Sequence, residues 1–235
     1  MAPIRKGDGT ALEIPGVSEV RSGDGRVFFE DAIPDSVEYN WLPSDYNEGN
    51  WIDQISGIDL PDDEGSPTKK TDGINDKAYI EYDGDDLSST ADNALDEEPP
   101  LVVFLVSDFP TNKTNDRIWS DTIDQTFYQD NDDDEHFLIV EGDSLRAGDA
   151  PITGLAIREI ELGGAGDEVI RQNGEEIGAE NLADAGLNGF VLSGEPSSPQ
   201  KEQDVYEISI AVDPSDEEID QERERLADEH NISLS

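Results

Sequence analysis

The chain has no cysteine, so neither disulfides nor thiolate metal sites can form. Lysine is nearly as scarce, at 6 of 235 residues. Only 15 basic residues stand against 58 acidic ones, a formal charge of −43. With no basic stripe to neutralise phosphates, direct nucleic-acid binding is excluded. No run approaches the ~20 apolar residues of a membrane-spanning helix. The opening MAPIRKGDGTALEIPG lacks the apolar core of a signal peptide, so an extracellular destination implies another route, such as release inside a virus particle. The two histidines, His136 and His230, have no Ser or Cys in a recognisable nucleophile elbow.

What the chain has in abundance is acid. In dilute salt such a charge repels itself, and high acidity with low hydropathy can signal disorder. Disorder fits poorly here, because strand-like runs such as PLVVFLVSDF (100–109) and EHFLIV (135–140) recur throughout. In molar salt the screening length falls to ~3 Å and surface carboxylates cease to repel. The composition therefore predicts a folded protein adapted to high salt.

IRKGDGTAL (4–12) and VRSGDGRVF (20–28) repeat at a spacing of sixteen residues. Each reads as a small β-hairpin around Gly-Asp-Gly. Two such hairpins bury little by themselves, so residues 1–31 read either as a docking arm or as a tail. The docking candidates are Ile4, Arg5, Leu12, Val20, Arg21 and Phe28. From residue 32 to 235 short strands alternate with polar loops, the pattern of a β-sandwich or jelly roll. They include SVEYNWL (36–42), AYIEYDG (78–84), LVVFLVSDF, RIWS (117–120), TFYQ, HFLIVE, TGLAIREIE and DVYEISIAV (204–212). In SVEYNWL the alternation puts Val37, Tyr39 and Trp41 on one face. DEVIRQNGEEIG (167–178) predicts a hairpin turning at Asn173-Gly174. The last element is a helix, with Ser215 as N-cap and Glu218 as its capping-box partner. Its Ile219 and Leu226 form a narrow apolar stripe able to lie on a sheet.

In that order the motifs resemble concanavalin A-like lectin/glucanase domains, the laminin-G-like jelly rolls. AYIEYDGDDLSS is similar to their strand-and-turn F-D-G-x-D-D-Y-L, and IRQNGEEIG to their N-G hairpin. LNGFVLSGEP resembles the strand that follows. DVYEISIAVDPSDEEIDQERERLADEHNI is similar to their closing strand and capped helix, with Ala211 and Val212 where Tyr-Asp is usual. The resemblance implies an all-β concanavalin A-like jelly-roll sandwich with a short C-terminal helix and an N-terminal hairpin arm. The arm and the phrase AIPDSVEYNW resemble openings of structural proteins from tailed viruses of haloarchaea.

That resemblance implies a non-enzymatic virion subunit, a capsid turret, decoration or tail spike. Its expected partners are other virion proteins through the arm, further copies of itself in a homo-oligomer, and host surface glycans. The alternative is a secreted glycan-binding or glycan-degrading protein of a halophile. The fold also hosts glycosidases, whose carboxyl pair comes from one strand as E-x-D-x-x-E. Here REIEL supplies Glu159 and Glu161 on one face, followed by Gly163 and Gly164 where the third acid belongs. A sugar site needs an aromatic platform beside Asp or Asn. Trp119, Tyr128, Asp130 and Asn131 are candidates, with core packing as the competing role for Trp119.

Two stretches suggest calcium. The family places carboxylates near a calcium rim where this chain has Asp83, Asp85 and Asp86. DNDDDEHFLIVE (130–141) has EF-hand spacing, but Glu135 replaces the required Gly. Strand-like flanks make that stretch the tip of a hairpin.

Overall fold

The computed structural model describes residues 18–21, 27–30, 33–47, 49–53, 55–90, 94–109, 116–121, 126–129, 136–140, 143–147, 153–163, 167–182, 186–195, 198–199 and 201–235. The apolar runs form strands, as the alternation predicts, and most of the strands belong to two large facing sheets. Among the described residues the first sheet has eight strands. Its order is Glu175–Asn181, Asp167–Gln172, Gly154–Leu162, Leu101–Phe109, Glu202–Val212, Tyr79–Asp83 and Thr68–Lys70, with Val37–Trp41 also pairing Glu202–Val212. The second has nine: Asp143–Ala147, His136–Val140, Thr126–Gln129, Asp116–Ser120, Val191–Leu192, Leu87–Ser89, Asp59–Glu64, Asn50–Ile52 and Tyr46–Asn47. Every pairing within them is antiparallel. This is an all-β sandwich, as the sequence predicts.

Leu101–Phe109 is apolar without alternation because both its faces are covered. Leu101, Val103, Leu105 and Phe109 enter the core between the sheets. Val102, Phe104 and Val106 enter a second cluster with Ile219, Leu226 and Ala227 of the helix Asp216–His230. The helix therefore lies on the outer face of the first sheet. Ser215 and Glu218 form the expected capping box, and Asn231 closes the helix in the left-handed region.

Aromatic rings run in sequence along the inner core. Tyr39 stacks on Trp41, Trp41 on Phe190, Phe190 meets Trp119, Trp119 meets Phe127, and Phe127 meets His136. Val37 leaves this set. A register shift opposite Ile210/Ala211 leaves Glu38 unpaired and turns Val37 to the helix side, so the three residues do not share one face. At one side of the sandwich the two sheets nearly touch: a Cβ on Gly178 would stand 3.0 Å from Ala147 Cα.

Asn173 and Gly174 have φ of 52° and 83°, the left-handed pair that a two-residue hairpin turn needs. Thr68–Lys70, Leu87–Ser89 and Asp143–Ala147 are strands outside the runs that the sequence reads as strands. Of the two Gly-Asp-Gly hairpins, the second appears as Ser18–Arg21 and Val27–Glu30, a two-stranded sheet of its own with Val20 opposite Phe28 and Arg21 opposite Val27. Ile4, Arg5 and Leu12 lie outside the described residues, as do the side chains of Val20, Arg21 and Phe28.

Candidate functional site

Inside one end of the sandwich the core turns polar. The Gly154–Leu162 strand alternates Ile157, Glu159 and Glu161 outward with Arg158, Ile160 and Leu162 inward. Arg158 is 1% exposed, and its Nη1 donates to Ser107 O at 2.7 Å and to Ser107 Oγ at 2.9 Å. Its guanidinium carbon lies 3.6 Å from the centroid of the Phe109 ring. Lys201 is 0% exposed, with Nζ 4.4 Å from the same centroid. Across the core stands His136, whose Nε2 is 3.2 Å from Gln172 Oε1.

Burial pushes the His136 ring down to about 3, and the Arg158 and Lys201 charges push the same way, so it is neutral at ordinary pH. Burial also pulls Arg158 down to about 9, against the attraction of Asp108. Among the buried polar atoms here, His136 Nδ1 and Gln203 Oε1 have no hydrogen-bond partner. Gln203 lies two residues beyond Lys201, also buried, and its Nε2 donates to Ile118 O across the sandwich at 3.1 Å. Phe109 pairs with Gly154, and His136 pairs with Gln129 at the base of the acidic hairpin. The polar layer thus sits at the hairpin end of the sandwich.

The predicted sugar-site residues fare differently. Trp119 is fully buried. A register shift at Ile118 turns both Ile118 and Trp119 into the core, which corrects its role as an exposed platform. Tyr128 lies on the strand beside buried Phe127, paired with Arg117 and Phe137, while its side chain is outside the described residues. Asp130 and Asn131 lie outside them altogether.

Asp83, Asp85 and Asp86 do not converge. Asp86 is buried, accepting from Ser66 N at 2.6 Å and Asp83 N at 3.1 Å, while Asp83 accepts from Asp85 N. Among the described residues no three acidic or histidine side chains gather as cation ligands. Here Asp83 and Asp86 spend their carboxylates on backbone bonds, which corrects the calcium-rim reading.

Charged chemistry on the outer face is structural. Glu159 is held by Arg223 Nε at 2.7 Å and Arg171 Nη1 at 3.2 Å, and Glu161 also pairs with Arg171. Glu207 accepts from Asn40 Nδ2 at 2.8 Å, Arg225 Nη2 at 2.6 Å and His230 Nε2 at 2.9 Å. Burial raises its carboxyl, but the His230 bond and the Arg225 charge outweigh this and hold it below the ordinary range. Glu222 completes the network, bonded to Ser209 and Arg225.

A bulge opposite Val106/Ser107 lets Tyr206 and Glu207, adjacent in sequence, both face the helix. The sequence reading misses Arg158, Lys201, Glu207 and Glu222 as buried groups. The alternation in REIEL was the available signal for Arg158.

The sequence matches no protein-family model and no curated protein. Solved structures do match. Domain 4 of an extracellular arabinanase from Geobacillus stearothermophilus, solved with arabinotriose, has a TM-score of 0.58 at 11% identity and covers 75% of this chain and 92% of its own. The Trypanosoma rangeli sialidase in complex with 2,3-difluorosialic acid has a TM-score of 0.60 at 8% identity. It covers 87% of this chain, which spans only 35% of the sialidase. A botulinum neurotoxin type C structure, reported for its interaction with two ganglioside molecules, has a TM-score of 0.59 at 9% identity over 83% of this chain and 52% of its own. At these identities the likeness concerns the fold alone, an all-β sandwich.

Proposed function

We propose that the chain is a non-enzymatic, lectin-like module that binds glycans. The observation that carries the proposal is the polar layer of Arg158, Lys201 and His136 around Phe109, set inside one end of an otherwise apolar sandwich. Proteins of similar fold have been solved with arabinotriose or 2,3-difluorosialic acid, or reported to interact with gangliosides, ligands that all carry sugars. Tyr128, Asp130 and Asn131 are its proposed rim, Tyr128 standing on the strand that pairs with His136–Val140. The absence of enzymatic activity rests on the carboxylates. Retaining hydrolysis needs two carboxyl groups ~5 Å apart, one of them protonated. Glu159 and Glu207 are instead bound by arginines.

A glycan array probed with the full chain in molar salt tests the reading, alongside a reducing-sugar assay on the glycans it retains. Retention without hydrolysis supports it. Hydrolysis that stops on substituting a Glu pair overturns the non-enzymatic part, and no retention overturns the whole.

The finer reading is a virion adhesion subunit of a salt-adapted virus, with residues 1–31 as its docking arm and host glycans as its outward partner. Two observations favour it, the −43 charge and an N-terminal hairpin forming a sheet of its own. A symmetric oligomer would turn weak sugar contacts into avidity. Deleting residues 1–31 is expected to abolish incorporation into particles while residues 32–235 stay folded; normal incorporation overturns the arm.

A further inference from the structure

We infer that the loop from Trp51 to Ile58 is the surface through which two copies of this chain pair. This goes beyond the glycan reading and does not rest on it.

Ile52 and Ile55 are 39% and 47% exposed, two of the five exposed large hydrophobic side chains among the described residues. The other three, Ile33, Ile74 and Leu234, are scattered along the chain. Single exposed apolar residues are ordinary, whereas a pair on one loop of a strongly acidic surface marks a contact.

Charge singles out the same loop. Charged residues make up 31% of the chain, yet GNWIDQISGI (49–58) has one, Asp53. Asp53 is 1% exposed, and its carboxylate is turned inward. Oδ1 accepts from Asn40 N at 2.6 Å and Ile55 N at 3.1 Å, and Oδ2 from Ser56 N at 2.5 Å and from Ser56 Oγ. The loop is also pinned at both ends. Trp51 Nε1 donates to Leu42 O at 2.5 Å, and Trp41 Nε1 to Ile58 O at 3.2 Å. A patch ordered in advance loses little freedom on binding.

The charge balance points to a second copy as the occupant. Each copy carries −43, so two copies can touch only where carboxylates are withdrawn. A twofold axis through the loop sets Ile52 and Ile55 against the same pair, a contact that closes at two. The adjoining edge strand, Tyr46–Asn47, has two residues, too few to extend the sheet from copy to copy. Two half-exposed isoleucines fall well short of the ~800 Å² per partner of a stable complex, so the pair forms and separates readily. Exposed Asp59 borders the patch, and association therefore tightens as salt rises.

The test is sedimentation equilibrium on the full chain, from micromolar to millimolar, in dilute and in molar potassium chloride. In molar salt the average mass is expected to rise with concentration towards twice that of one chain. Ile52→Ser with Ile55→Ser is expected to raise the dissociation constant about tenfold or more, the scale of the apolar surface removed. Ile33→Ser with Ile74→Ser is expected to leave it unchanged, with thermal melts confirming that both variants fold. The parent's concentration series needs no variant, so a variant that fails to fold leaves the test intact. A mass that stays at one chain overturns the inference, as does association beyond two copies or association that the loop variant leaves unchanged. A monomeric parent that co-sediments with phosphatidylcholine vesicles through Ile52 and Ile55 overturns it in favour of a lipid surface. None of these outcomes bears on the glycan array.

Discussion

Replacing Glu207 with alanine is expected to loosen the C-terminal helix more than any surface substitution. Glu207 is fully buried and joins the outer face of the first sheet to Arg225 and His230 of the helix. Arg225 keeps Glu222 in the variant, through bonds of 2.7 and 2.8 Å, so its charge is not stranded. Asn40 Nδ2 retains only a 3.4 Å contact to Ile208 O, and His230 Nε2 is left without an acceptor. Each buried donor so stranded costs ~1–3 kcal/mol, and breaking a buried ion pair from one side costs ~3–5 kcal/mol. At ~2–4 °C per kcal/mol for a domain of this length, Tm falls by roughly 10 °C.

Circular-dichroism melts at two salt concentrations measure this. Buried pairs are screened far less than surface pairs, so the deficit persists in molar salt. A fall below about 3 °C, or one that concentrated salt erases, would refute the reasoning.

Three further perturbations follow from the same contacts. Asp204 is pushed up to about 6, first by burial and then by Asp108, Glu81 and Glu202, the first two standing opposite it on the flanking strands. Because its folded pKa exceeds the unfolded value near 3.8, its contribution is fully present below that pH and is lost as pH rises through about 6. Asp204→Asn is therefore expected to raise Tm relative to the parent above pH 6 but not below pH 3.8; a pH-independent difference contradicts this.

Gly178→Val places side-chain atoms against Ala147 and the Arg146 carbonyl, where the sheets nearly touch. It is expected to cost about 1–3 kcal/mol by denaturant unfolding, and an unchanged midpoint contradicts the close approach. Ser215→Ala removes the helix N-cap and is expected to cost about 1 kcal/mol by the same method; an unchanged midpoint would deny the cap its role.

Much of the sandwich is legible because period and punctuation are local signals. Leu101–Phe109 is bounded as its apolar run predicts, the Asn173-Gly174 turn forms, and Ser215 caps the helix. The edges read less well. Thr68–Lys70 is polar and short, and becomes a strand only because Tyr79–Asp83 offers it a ladder. Bulges hide the facing of individual side chains, since one extra residue reverses what alternation predicts. This is why Val37 and Trp119 lie where they do.

The polar layer was least legible. Arg158 and Lys201 lie 43 residues apart in sequence; Lys201 has only polar and acidic neighbours, and Arg158 carries no signal beyond the alternation of its strand. Only the pairing of strands distant in sequence turns both onto Phe109.

The central claim is that the polar end of this sandwich holds a sugar. The most direct measurement is ligand-observed saturation-transfer NMR on the full chain in molar salt, comparing the parent with Arg158→Lys for glycans retained on the array. The account predicts saturable transfer to ring protons of the sugar that weakens in the variant while the melts of the two proteins stay similar. Equal transfer to both proteins would place binding elsewhere, and no transfer to either would contradict the claim.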